Sequence, residues 1–110
     1  MITTLERLIE RSGEIAERHG WNEKEVPFPE TIALIHSEAS EALEEYRDGH
    51  DVGELYYSGE KPEGVAIEMA DIMIRIAHWA SKNKIDLTGA INVKSNYNES
   101  RPYRHGGKKV

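Results

Sequence analysis

The stretch from Gly64 to Ala80, GVAIEMADIMIRIAHWA, constrains the chain more than any other: twelve of its seventeen residues are apolar, and its only acids are Glu68 and Asp71. Apolar residues on nearly every side of a helical repeat predict a helix covered on several faces, and therefore the central one. A carboxylate carried into such a setting needs a partner, because an ion taken out of water remains costly even after relaxation. That partner is a cation, a hydrogen-bond donor or a bound metal.

Three more helices are expected around it. Thr3 followed by Glu6 has capping-box spacing and starts a first helix running to about His19. Leu5, Leu8, Ile9, Ile15 and Ala16 mark one face of it, and His19-Gly20 ends it. Pro29 lies near the first turn of a second helix that reaches Asp48-Gly49, with Ile32, Ile35, Ala39, Ala42, Leu43 and Tyr46 as the apolar stripe. The segment HDVGELYYSGEKPEG reads as a loop, and Pro62 opens the central helix, about Glu63 to Lys82. Asp86 caps a fourth helix reaching about Asn98, with Ala90, Ile91, Val93 and Tyr97 as packing residues; Pro102 blocks its extension. No β-type alternation or internal repeat competes. The expected fold class is all-α with four helices in one domain spanning residues 1–110, with a flexible tail over about 102–110.

Composition narrows the function. The chain has no cysteine, which excludes a disulfide framework and thiolate metal sites. Its net charge of -6 argues against a broad duplex-binding surface, since phosphate neutralisation supplies most non-specific affinity. The N-terminal MITTLERLIERSGEI lacks the apolar core of a secretory signal, and no stretch approaches a membrane span, so a cytoplasmic protein with no membrane partner is expected.

The second helix carries its own acidic pair, Glu38-x-x-Glu41. At about 100° per residue Glu38, Glu41 and Glu45 fall within about 60°, as do Glu68, Asp71 and Arg75, with His78 extending the second row. Facing rows would turn Glu38, Glu41, Glu68 and Asp71 into four oxygen ligands, a donor set suited to Mg²⁺ or Mn²⁺. Two plainer readings stand beside it: the second-helix acids form a solvated face, and Asp71 pairs with Arg75 at i, i+4. Di-iron carboxylate bundles use Glu-x-x-His pairs, which neither acidic pair here contains.

On the fourth helix Lys94, Asn98 and Arg101 also lie within about 60°. They are arranged either to bind phosphate oxygens or as a solvated basic edge at a helix C-terminus. The tail from Tyr103 to Lys108 has the composition of a phosphate-clasping loop. Trp21, before the second helix, either stacks on a nucleobase or covers the core.

Glu38-x-x-Glu41, twenty-six residues, then Glu68-x-x-Asp71, in this order with HGW before and Lys94-x-x-x-Asn98-x-x-Arg101-Pro-Tyr-Arg-His-Gly-Gly-Lys after, resembles the single-domain MazG-type nucleoside triphosphate pyrophosphohydrolases of bacteria and phages. The resemblance covers most of the chain. It implies a four-helix MazG-like bundle assembled as a homodimer or homotetramer, with the site near the subunit interface. It further implies Mg²⁺-dependent hydrolysis of a (deoxy)nucleoside triphosphate to monophosphate and pyrophosphate, as in nucleotide-pool cleaning. Glu38, Glu41, Glu68 and Asp71 would hold the metal, and Lys94 and Asn98 match positions near the nucleotide. Arg101, Trp21 and Arg75 are further candidates for substrate contact. The family often has Glu-Glu-x-x-Glu in the second helix, and here the first of those glutamates is Ser37. That departure implies fewer ions or slower turnover. The rival expectation is a non-catalytic helical dimer that binds nucleotide or a protein partner, and a phosphoribosyl-ATP pyrophosphohydrolase of related fold would share the bond cleaved.

Overall fold

The computed structural model describes residues 2–102. It is mostly helical, with helices α1 (Leu5–Arg18), α2 (Phe28–Arg47), α3 (Val65–Asn83) and α4 (Leu87–Ser100), a 3₁₀ turn at Trp21–Glu23, and two short strands, β1 (Tyr56–Ser58) and β2 (Lys61–Glu63). No helix among the described residues is long and apolar enough to cross a membrane. The tail from Tyr103 to Lys108, read from sequence as a phosphate clasp, lies outside the described residues, as does the flexibility expected of it.

The helix boundaries follow local chemistry. Thr4, not Thr3, caps α1: its Oγ1 accepts from the Arg7 backbone N–H at 3.0 Å. At the other end Gly20 takes φ 70°, the left-handed turn expected just past a helix C-terminus. Pro29 sits in the first turn of α2, where its missing N–H is not needed. Asp86 caps α4 by accepting from the Gly89 N–H at 2.9 Å.

The segment read as a loop contains an antiparallel hairpin, with Tyr56 opposite Glu63, Tyr57 opposite Pro62 and Ser58 opposite Lys61. Gly59 and Glu60 make the two-residue connection, and Gly59 supplies the positive φ of 65° that its first position requires. Three-residue strands are too short to produce a readable alternation. Pro62 lies in β2 and does not open α3, which begins three residues beyond it with Gly64 at its N-cap position. The hairpin is tied to α2 by side chains: the Tyr56 hydroxyl donates to both Glu45 carboxylate oxygens, at 2.9 and 2.7 Å, and His50 stacks on the Tyr56 ring with centroids 4.5 Å apart.

Helix α3 packs against both α1 and α2, as its apolar pattern predicts. The side chains at those contacts are small. The fully buried apolar residues are Ala16 of α1, Ala42 of α2 and Ala77 and Ala80 of α3, with Ser12 buried beside them. Gly13 of α1 lies directly against Ser81 of α3, so the two backbones approach more closely than a side chain at position 13 would allow. Helix α4 behaves differently. Every residue from Ala90 to Ser100 is exposed, including Ile91, Val93 and Tyr97, which the sequence marks as packing residues.

Gly64 holds the start of α3 in place. Its φ of 130° and ψ of 167° fall in a region open to glycine alone, and a Cβ there would collide with the Glu54 carbonyl oxygen. Gly64→Ala is expected to cost about 3 kcal/mol or more, combining backbone strain with the collision. Gly49, at φ 95° with open space around it, should lose only about 1 kcal/mol on the same change. Urea denaturation of the two variants checks this; equal losses would mean that Gly64 and Glu54 do not meet.

Candidate functional site

Helices α2 and α3 bring three of the four expected acids to one point. Carboxylate oxygens of Glu38, Glu41 and Glu68 all lie within 4.8 Å of one another, a group that could hold a metal ion. Glu38 is buried, Glu68 half-buried and Glu41 exposed, so the cluster opens to solvent along the Glu41 side. Asp71, a turn beyond Glu68, stands outside that mutual distance and lines the hollow next to it.

The only cation paired with the cluster among the described residues is Arg75, one helical turn past Asp71. Its Nε and Nη2 donate to Glu38 Oε1 at 3.1 and 2.8 Å, joining α3 to α2. Arg75 thus crosses to the neighbouring helix and makes no ion pair with Asp71, the local partner that i, i+4 spacing offered. Of the second-helix acids, Glu45 turns to Tyr56 and Glu44 pairs with Arg47 on the exposed surface. The solvated-face reading therefore holds for Glu44, and Glu38 departs from it.

The charge balance of the cluster is unequal. Arg75 holds the Glu38 carboxyl below its usual range, mainly by donating to it. Glu68 goes the other way, pushed up to about 8 by burial first and then by its contacts with Glu38 and Glu41. Asp71 is also raised, by burial and by the charge of Glu38. Glu68 Oε2 is sealed from solvent and has no hydrogen-bond donor. A buried carboxylate oxygen facing two other carboxylates has two ways to be satisfied, by a proton or by a cation. Three carboxylates, one of them with an orphaned oxygen, fit a hard divalent ion, whose preferred ligands are oxygens.

The other expected residues form two groups. Lys94, Asn98 and Arg101 share one depression of about 480 Å³ at the end of α4, with the Lys94 ammonium and Arg101 guanidinium both over the Tyr97 ring, at 4.9 and 5.9 Å. The row is therefore real as a surface, but on a helix that stands apart from α2. Trp21 is exposed and stacks on His19, with ring centroids 5.0 Å apart. It does not cover the core. It forms the rim of two adjoining hollows, of about 220 and 370 Å³, that also share Arg75 and His78. Sequence reasoning gave His78 a place on the acidic row and no role. In the structure it meets Asn22, a residue with no sequence signal of its own, at 2.9 Å.

The raised Glu68 carboxyl makes stability depend on pH. Its proton is held more tightly in the fold than in the unfolded chain, so its contribution is complete below about pH 4.5 and is lost as pH rises towards about 8. In chelator, the melting temperature of the wild type should fall across this window by more than that of Glu68→Gln. The variant should be the more stable of the two at pH 8. Melting curves from pH 5 to 9 check this, and parallel profiles would remove Glu68 as the strained group. Comparison of the chain with protein families, curated proteins and solved structures finds no match.

Proposed function

We propose that this chain is a Mg²⁺-dependent nucleoside triphosphate pyrophosphohydrolase that acts as a homodimer or homotetramer, with Glu38, Glu41, Glu68 and Asp71 as metal ligands and Lys94, Asn98 and Arg101 on the polyphosphate. The observation that carries the proposal is the meeting of Glu38, Glu41 and Glu68 across α2 and α3 around a carboxylate oxygen that lacks any donor. The bond cleaved comes from the sequence resemblance to the MazG type.

In this scheme Glu38, Glu41 and Glu68 would hold the ion, with Asp71, whose carboxyl is raised by burial and by the charge of Glu38, as the fourth carboxylate. Bound Mg²⁺ supplies Lewis-acid polarisation of the phosphoryl group or of the attacking water. The water oxygen adds to the α-phosphorus, the bond from that phosphorus to the α–β bridging oxygen breaks, pyrophosphate leaves with that bonding pair, and the proton lost by the water passes to solvent. Arg75 keeps Glu38 ionised and aimed at the cluster. Trp21, on the rim of the hollows beside Asp71, offers a face for the base.

Helix α4 is the part that a single copy leaves unexplained. Its basic row sits on a helix whose side chains from Ala90 to Ser100 are all exposed, and α3 exposes Met69, Met73 and Ile74. A second copy would cover these apolar residues, complete the four-helix bundle and carry Lys94 and Arg101 to the partner subunit's acids. A non-catalytic nucleotide-binding dimer would share that assembly and differ in releasing no product.

Product analysis decides between them. Incubation of a triphosphate with Mg²⁺ should give monophosphate and pyrophosphate in equal amounts, with none formed in excess chelator. Orthophosphate with diphosphate would place the attack at the γ-phosphorus and reject the scheme.

Lys94→Ala should lower kcat/KM by an amount corresponding to about 1.5 to 3 kcal/mol, the range for a charge-assisted bond to phosphate, while helix content is kept. Mixing and re-equilibrating impaired Lys94→Ala with inactive Glu68→Gln subunits should raise activity above that of the Lys94→Ala parent alone, because a mixed dimer regains one intact site. No recovery would place Lys94 and the acids of one site in the same chain.

A further inference from the structure

A hydrogen-bond chain from Glu17 through Asn22 ends on His78, which lines the cavity beside the acidic cluster. Trp21, Arg75 and His78 belong to both adjoining hollows; Val26, Leu34 and Trp79 are the apolar part of the smaller, which Glu25, Lys82 and Asn83 also line, and Asp71 lines the larger. From the outside inwards, Asn22 Nδ2 donates to Glu17 Oε2 at 3.1 Å, and Asn22 Oδ1 lies 2.9 Å from His78 Nε2.

These two contacts assign the protons. An ionised carboxylate can only accept, so the amide nitrogen of Asn22 must face Glu17 and its carbonyl oxygen must face His78. That oxygen accepts only, so His78 Nε2 carries the hydrogen. Burial, and the neighbouring charges of Lys82 and Arg75, disfavour the charged ring. A neutral imidazole with its hydrogen on Nε2 keeps a lone pair on Nδ1. Among the described residues nothing donates to that nitrogen, although the His78 ring forms part of the wall of both hollows.

We propose that His78 determines base specificity: its Nδ1 accepts a hydrogen bond from the exocyclic amine of a base seated against Trp21, and Asn22 is the positioning residue that fixes the tautomer. The ligand class is an amino-bearing nucleobase of the cytosine or adenine type. The proposal deepens the reading of the acidic cluster as a nucleotide site and rests on it for the presence of a base.

The geometry favours an acceptor that discriminates. A wall group that only accepts penalises a ligand that lacks the matching donor, because the group is then desolvated without a partner. Discrimination of this kind exceeds what an apolar pocket achieves by shape.

The test uses monophosphates, so that binding is separated from hydrolysis. Quenching of Trp21 and Trp79 fluorescence is titrated with cytidine monophosphate against the monophosphate of the pyrimidin-2-one riboside, and with adenosine monophosphate against that of purine riboside. Each pair differs in the exocyclic amine. The wild type is expected to prefer the amino-bearing member of at least one pair by about tenfold or more. His78→Phe and His78→Leu, both folded by circular dichroism, should bind the two members equally. Nitrogen NMR shifts of His78 should report the Nε2–H tautomer in the wild type and a mixture in Asn22→Leu, with a reduced preference in that variant. Equal binding of both pairs by the wild type, absence of any quenching, or a preference retained in both His78 variants overturns the proposal. The first and third results, with triphosphate hydrolysis intact, leave the pyrophosphohydrolase reading standing. Conversely, a His78-dependent preference without hydrolysis of any triphosphate rejects that reading and keeps the base site.

Discussion

The bond from Arg75 to Glu38 is the interaction on which the rest of the site depends. It spans α2 and α3, the two helices that carry every acid of the cluster, and it keeps one buried carboxylate ionised beside a second. A buried ion pair contributes little net stability once desolvation is counted, but losing one partner leaves a buried charge without compensation. Arg75 compensates one negative charge. Glu41 and Glu68 remain beside it, and Glu68 holds a proton far above the usual range, first because it is buried and then because of its contacts with Glu38 and Glu41, while one of its oxygens has no donor. The fold therefore tolerates an electrostatic deficit at this point that a divalent ion would neutralise.

That deficit coexists with a thin core. The residues buried most completely are alanines and a serine, and no large side chain is fully buried among the described residues. Small residues let α1 and α2 approach α3 closely, which gains backbone proximity at the expense of apolar volume. The Cα radius of gyration is 16.6 Å, against about 13 Å for a compact chain of this length. Helix α4 adds little to that core, with Ile91, Val93 and Tyr97 exposed. A chain that stabilises itself with so little buried area has a physical reason to associate, and the exposed residues on α3 and α4 are the ones that association would cover.

How much of this was legible in the sequence depends on the range of the interaction. Helix existence was readable because it is set by periodicity and by caps that act over three or four residues; Asp86 acts as expected, and the cap of α1 is off by one residue, Thr4 in place of Thr3. The central position of α3 followed from its apolar pattern. The meeting of Glu38, Glu41 and Glu68 was readable only as facing rows, since spacing fixes the face of a helix and not its neighbour. Arg75 shows the limit: i, i+4 spacing pointed to Asp71, while the helix packing put Glu38 within reach. The hairpin was missed because its strands are three residues long, and Pro62 looks like a helix start although it occupies a strand position that needs no donor.

Asn22 and His78 were illegible for a different reason. Their significance comes from a contact across fifty-six residues that joins a 3₁₀ turn to the middle of α3, and neither residue type signals such a pairing. Only the placement of Glu17 one step further out converts the contact into a statement about protons, because an acceptor at one end of the chain dictates the hydrogen at the other. The two halves of the site then divide their roles by electrostatics. Carboxylates with too few cations stand on one side of Arg75, and a neutral ring with one free lone pair stands on the other. Arg75 stands between them, bonded to Glu38 and lining both hollows, so a change there disturbs the acidic cluster and the hollows together.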